Sequence, residues 1–138
     1  MLSKSCEYGL RASLYLASLD HDGYVSIGTI SEELNISFPF LTKIFQKLND
    51  ADLLESQRGP KGGVALTKPA DDVTLYDIVV AIDGDDLFRE CVLGLPNCGS
   101  AEPCPLHDEW VEERDRFETM FRNATLAELP DVRLAALD

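Results

Sequence analysis

Apolar residues recur along this chain in rhythms that change from segment to segment. Over residues 3–19, Cys6, Leu10, Leu14 and Ala17 fall on one helical face, and Tyr8, Ala12, Tyr15 and Leu19 on another. A helix apolar on most sides is expected inside a core or between subunits, and His21-Asp22-Gly23 breaks it. Ser26 is placed to cap a second helix bearing Ile27, Ile30 and Leu34, which Asn35-Ile36 ends. Ser37 then caps a third, with Pro39 tolerated in its first turn. Leu41, Ile44, Phe45 and Leu48 form the apolar stripe of this third helix; Pro39, Lys43, Gln46 and Asp50 lie opposite, flanked by Thr42 and Lys47. Two short helices joined tightly after a longer one predict a helix-turn-helix.

Residues 53–58 and 64–67 read as strands around the turn Gly59-Pro60-Lys61-Gly62-Gly63, a β-hairpin in the position of a wing. Thr74 and Asp77 have capping-box spacing before a fourth helix with Leu75, Ile78, Val79 and Ile82 as its stripe and Gly84 as its stop. Residues 85–104 read as an acidic loop interrupted by Gly94, Pro96, Gly99 and Pro103. Cys104-Pro105 opens the last long helix, in which Trp110, Arg114, Phe117, Phe121 and Ala124 make a heptad-like seam. Thr125 and Glu128 are placed to cap a short final turn before Pro130. The predicted fold is mainly α with a small β-hairpin (α+β). A winged helix-turn-helix spans 1–83, a cysteine-containing loop 84–107, and a dimerisation helix with a short tail 108–138.

The 138 residues, 45% apolar and 27% charged, suit one globular domain. The longest apolar run near the middle, Ile78 to Ala81 and Ile82, is too short to span a membrane, and residues 1–7 lack the apolar core of a signal peptide. The protein is expected in the cytoplasm. Its net charge of −13 opposes binding to a polyanion, but the charge is unevenly placed. Residues 1–68 hold 7 Lys and Arg against 8 Asp and Glu, whereas residues 69–138 hold 5 against 17. The first half is therefore the candidate surface for double-stranded DNA. On its third helix Thr42, Lys43 and Gln46 can reach base edges and Lys47 a phosphate, with Ser37 and Pro39 at the N-terminal end. Arg58 and Lys61 belong to the wing tip, where an arginine can enter a minor groove.

Cys91, Cys98 and Cys104 fall within 14 residues, and His107 follows three residues on. A thiol cluster in a cytoplasmic protein points to a metal or redox site rather than a disulfide frame. The spacings are not those of a zinc finger or ribbon. An iron–sulfur cluster, zinc, and unmetallated thiols all stay open. With two histidines and no phosphate-binding loop, the chain offers no catalytic set, so neither an enzyme nor a small-molecule substrate is expected.

Three stretches carry a resemblance over nearly the whole chain. They are Glu7-Tyr8-Gly9-Leu10-Arg11-Ala12, Ile30-Ser31 through Ser37 and Phe40-Leu41 to Arg58-Gly59-Pro60-Lys61-Gly62-Gly63, and the cysteine segment ending Cys104-Pro105-Leu106-His107-Asp108-Glu109-Trp110. With Thr125-Leu126-Ala127-Glu128-Leu129 they resemble the Rrf (Rrf-two) family of winged-helix transcription regulators. That family includes the iron–sulfur cluster regulator and the nitric-oxide-sensing repressor. The resemblance implies a homodimer joined through the long helix, with Trp110, Phe117 and Phe121 at its interface. It also implies a cluster of 2Fe–2S or 4Fe–4S type on Cys91, Cys98 and Cys104 that sets affinity for a palindromic operator. The gap between the first two cysteines is one residue longer than is common in such regulators. For the fourth ligand, His107 matches a ligand of the cluster regulator. Glu7 matches an acidic residue that, in the nitric-oxide sensor, reaches across from the other subunit. Cys6 is the softer donor but falls on the apolar face. Two other readings stand beside this one: a zinc-binding or thiol-based winged-helix regulator, and an iron–sulfur interaction module without DNA binding.

Overall fold

The computed structural model describes residues 2–19, 23–95 and 104–128. Cys98, the His21-Asp22 turn and the tail beyond Glu128 lie outside the described residues. The first helix, α1 (Lys4–Ser18), begins where the Ser3 hydroxyl accepts from the Cys6 amide at 3.0 Å. The second, α2 (Ile27–Leu34), starts after Ser26, which makes no side-chain cap bond. It ends on Asn35 in the left-handed conformation (φ 54°, ψ 48°), which a short polar side chain tolerates. That residue turns the chain directly into α3 (Phe38–Asp50), whose cap, Ser37, accepts from the Phe40 amide. The helix-turn-helix is thus built from caps and one αL residue.

The wing is an antiparallel pair, β1 (Leu54–Gln57) and β2 (Gly63–Leu66), in register Leu54 with Leu66 and Gln57 with Gly63. Val25 bonds to Val64 in both directions at 2.9 Å, so the segment before α2 holds the hairpin against the helices. Gly63 lies at that contact with φ +150°, and a side chain there would run into the backbone of Val25. A 3₁₀ turn (Ala70–Asp72) leads to α4 (Leu75–Asp83). Its capping box is reciprocal: Thr74 accepts from the Asp77 amide at 3.1 Å, and the Asp77 carboxylate accepts from the Thr74 amide at 3.0 Å.

One core runs through these elements. Phe45, Leu41, Ile44 and Leu48 of α3, Ile30 and Leu34 of α2, Leu54 and Val64 of the wing, and Ile78 and Val79 of α4 are all buried together. Each such side chain contributes about 1.5–3 kcal/mol on burial. Gly9 lets α1, α3 and α4 meet, since a methyl group there would collide with the side chains of Ile82 and Ile44.

Beyond Gly84 the structure departs from the expected loop. A short helix, α5 (Asp86–Arg89), forms there, and its Phe88 is 4% exposed. Asp85 pairs with Arg89 four residues on, and Phe88 packs on Tyr76 of α4 at 5.1 Å between ring centroids. The last helix, α6 (His107–Asn123), also begins later than expected. Cys104 precedes it by a full turn, because the residue before a proline is disfavoured in helical conformation; the His107 amide donates to the Cys104 carbonyl at 3.0 Å. After α6, Leu126 opens a 3₁₀ turn (Leu126–Glu128) and its amide bonds to the Val73 carbonyl at 2.9 Å, which anchors the end of α6 beside the start of α4. No described helix is long and apolar enough to cross a membrane.

Candidate nucleic-acid interface and cysteine site

Between α3 and the wing lies an open cleft of about 520 Å³. Thr42, Gln46 and Asn49 line it from the helix, and Gln57, Arg58 and Gly59 from the hairpin. Lys43, Gln46, Arg58 and Lys61 are exposed and make no ion pair or hydrogen bond among the described residues. Their donors are open to phosphates and base edges. Two expected contacts are placed differently. The Thr42 hydroxyl donates back to the Phe38 carbonyl at 2.9 Å, leaving its methyl group and an oxygen lone pair for any ligand. The Lys47 ammonium donates to the Ile82 carbonyl at 3.3 Å, in the last turn of α4, where a cation meets the negative end of a helix. Ser37 is taken up by its cap, and Pro39 is exposed at the start of α3.

The sequence reading passed over Phe38, which is 51% exposed and lines the cleft. The signal was present: Phe38, Leu41, Phe45 and Leu48 share one helical stripe, and the core covers it only from Leu41 onward. It also passed over Arg11 and Lys4, whose cations sit 5.6 and 5.7 Å from the centroid of the Tyr8 ring, itself edge-on to Phe40 in the first turn of α3.

The cysteines occupy a second site. Cys91 is 8% exposed just past α5. Its sulfur accepts from the Leu93 amide at 3.4 Å, the Gly94 amide donates to the Cys91 carbonyl at 2.9 Å, and the backbone amides of residues 93–95 thus turn about the thiol. These amides, Leu93 foremost, hold the Cys91 thiol below its ordinary pKa, against the opposing effect of burial. The Cys104 side chain hydrogen-bonds to Cys91 as well and adds to this lowering. Two of the three expected sulfur ligands are therefore brought together, in surroundings that favour the thiolate a soft metal needs. His107 stands at the start of α6, one turn from Cys104. Among the described residues, no three His, Cys, Asp or Glu side chains are arranged as a ready set of metal ligands.

Glu7 and Cys6 belong to the first turn of α1. Glu7 pairs with Lys4 at 3.5 Å on the exposed side of α1. Cys6 is fully buried; burial first, then the Asp83 carboxylate beside it, push its thiol up to about 12. Burial in the core and the neighbouring carboxylate both disfavour the thiolate here. A cleft of about 540 Å³ joins Ser3, Asp83, Glu90, Cys91 and Trp110. Asp83 accepts from both the amide and the hydroxyl of Ser3, which ties the end of α4 to the start of α1.

The aromatic seam of α6 turns inward within the chain. Trp110 Nε1 donates to the Glu90 carbonyl at 2.7 Å, and Arg114 donates to the Arg89 carbonyl at 2.7 Å. Phe121 packs on Phe88 with centroids 5.8 Å apart, and Trp110 on Phe117 at 6.2 Å. All three aromatics remain only half-buried.

A helix-turn-helix facing a basic-tipped hairpin across an open cleft is the architecture of a winged-helix DNA-binding protein. Residues 2–131 match the model of the Rrf2 family, described as iron-dependent transcriptional regulators, and the chain belongs to that family. Over 128 residues it is 34% identical to the HTH-type transcriptional regulator IscR of Erwinia tasmaniensis, covering 93% of this chain and 77% of that one. Among solved structures, CymR, the global cysteine regulator of B. subtilis, superposes with TM-score 0.77 at 26% identity, over 94% of this chain and 95% of the other. IscR of T. potens does so with TM-score 0.73 at 26% identity, over 94% and 85%. These relatives are transcriptional regulators.

Proposed function

We propose that this regulator works in the cytoplasm as a homodimer that binds a palindromic operator and holds an iron–sulfur cluster on Cys91, Cys98 and Cys104, with the cluster's state setting its operator affinity. The observation that carries the reading is the Cys91 sulfur, held by backbone amides with the Cys104 side chain against it. A bound cluster supplies a centre sensitive to oxidation, nitric oxide and iron supply. His107, one turn from Cys104, is the proposed fourth ligand; Glu7 is the second candidate, by its resemblance to the acidic residue that in the nitric-oxide sensor reaches across from the other subunit. The domain division at residues 84 and 108 is part of the same reading, with the cysteine segment between the DNA-binding part and the helix that joins the subunits.

The chain's own contacts supply a route between the two sites. Trp110 and Arg114 fasten α6 to the carbonyls just before Cys91. Through α5 and Gly84 that segment is continuous with α4, whose last turn is bonded to Lys47 of α3 and to Ser3. A chain of bonds thus runs from the residues just before Cys91 to α3, the helix that lines the cleft. In the dimer, two copies of α3 meet half-sites about one helical turn apart. Partly open aromatics on α6 give the second copy a surface to cover.

A second reading, sensing by bare thiols, draws on the same two neighbouring free cysteines, Cys91 and Cys104, as the groups an oxidant would act on. Protein purified without oxygen separates the two. The proposed reading expects bound iron and visible absorption that Cys98→Ala abolishes and His107→Ala shifts or makes short-lived in air. Colourless, iron-free protein would transfer the assignment to zinc or bare thiols.

A further inference from the structure

We propose that Phe38 is a specificity-determining residue that reads the methyl group of one thymine in the major groove for each α3 bound. The inference rests on the DNA-binding reading above and goes beyond it by naming a base. Phe38 is the first residue of α3 and is 51% exposed, although burying a phenylalanine ring is among the larger gains open to a fold. Its stripe runs on from Leu41, Phe45 and Leu48, but the core stops one turn short of it. The ring instead reaches the cleft that Thr42, Gln46 and Arg58 line. Across that cleft stand Gly59, Gly62 and Gly63, of which Gly59 faces open space.

Apart from the small Thr42 methyl group, the other exposed side chains of the cleft are polar or cationic and suit phosphates and the hydrogen-bonding edges of bases. A phenyl ring suits neither. In the major groove the only apolar feature of an unmodified base pair is the C5-methyl group of thymine. The backbone that carries the ring is also held in place. Ser37 caps the helix at the preceding residue, Pro39 fixes φ at the following one, and the Thr42 hydroxyl bonds to the Phe38 carbonyl at 2.9 Å. A first turn this constrained fixes the direction in which the side chain leaves the helix, which a reader of a single group requires.

The test uses the full chain and a duplex enriched by it from a random library. Each thymine is replaced in turn by uracil, which keeps every hydrogen-bonding group and lacks only the methyl. One thymine per bound α3 is expected to lose about fourfold in affinity on replacement, the effect of one buried methyl group. Phe38→Ala should bind the thymine and uracil duplexes equally, while Phe38→Leu keeps part of the preference. The inference is overturned if the parent is indifferent to every replacement, or if Phe38→Ala keeps the parent's thymine preference. It is overturned too if Phe38→Ala weakens all sequences alike, which marks a general contact. Enrichment of no duplex at all removes the DNA-binding reading together with this one, whereas enrichment with indifference to uracil removes this one alone.

Discussion

Ser13 sits in the middle of α1 with no exposed surface, and its hydroxyl has no hydrogen-bond partner among the described residues. A buried hydroxyl left unpaired costs about 1–3 kcal/mol, so Ser13→Ala is expected to raise stability by about 1 kcal/mol. Urea unfolding reads this directly, and a loss of stability would mean that the hydroxyl is satisfied. Arg58 is the opposite kind of residue, exposed at the wing and without a side-chain partner among the described residues. Arg58→Ala should leave the unfolding midpoint unchanged and weaken operator binding by about 1–3 kcal/mol. Equal binding by variant and parent across a salt series would detach the wing from the DNA. Lys47 shows where single-residue reading from sequence fails. On a helical wheel it belongs beside Lys43, yet its ammonium finds the carbonyl of Ile82, 35 residues away. No local pattern announces such a bond.

At the scale of elements, what was legible was what is locally encoded. The caps at Ser37 and Thr74, the break at Asn35, the α3 stripe and the Gly/Pro turn of the wing each rest on neighbours within a few residues, and each appears where its pattern puts it. The segment after Gly84 was not legible in this way. Four residues carry no periodicity, and α5 exists because Phe88 finds Tyr76 and Phe121. If that packing makes α5, Phe88→Ala should cost about 3–5 kcal/mol, whereas a substitution in an exposed loop would cost almost nothing. A chemical denaturation curve separates these outcomes. The α6 seam was legible as a stripe but not as to what covers it. The same apolar spacing serves a partner helix or the chain's own α4 and α5, and here the chain's own residues cover part of it. The cysteine segment was legible as chemistry. The amides that surround Cys91 were not, since they come from backbone turns at Leu93 to Leu95 rather than from side chains.

For the whole molecule, a net charge of −13 and a DNA-binding fold are reconciled by where the charge lies. Residues 69–138 carry the excess, while Lys43 of α3 and Arg58 and Lys61 of the wing have no side-chain partner among the described residues. So few cations per chain give weak non-specific binding, and two chains on a palindrome supply what one lacks. The protein should therefore sediment at twice the chain mass at micromolar concentration; sedimentation at the monomer mass would remove the dimer from the account. The proposed function joins two sites, the cleft between α3 and the wing and the thiol pair Cys91 and Cys104. The measurement that tests their connection most directly is the affinity of one selected duplex for the parent purified without oxygen and for Cys98→Ala, at one salt concentration. The account predicts folded protein in both cases, visible absorption in the parent alone, and operator affinities that differ by about tenfold or more, a coupling near 1.4 kcal/mol. Identical affinities from a coloured parent and a colourless variant would contradict it.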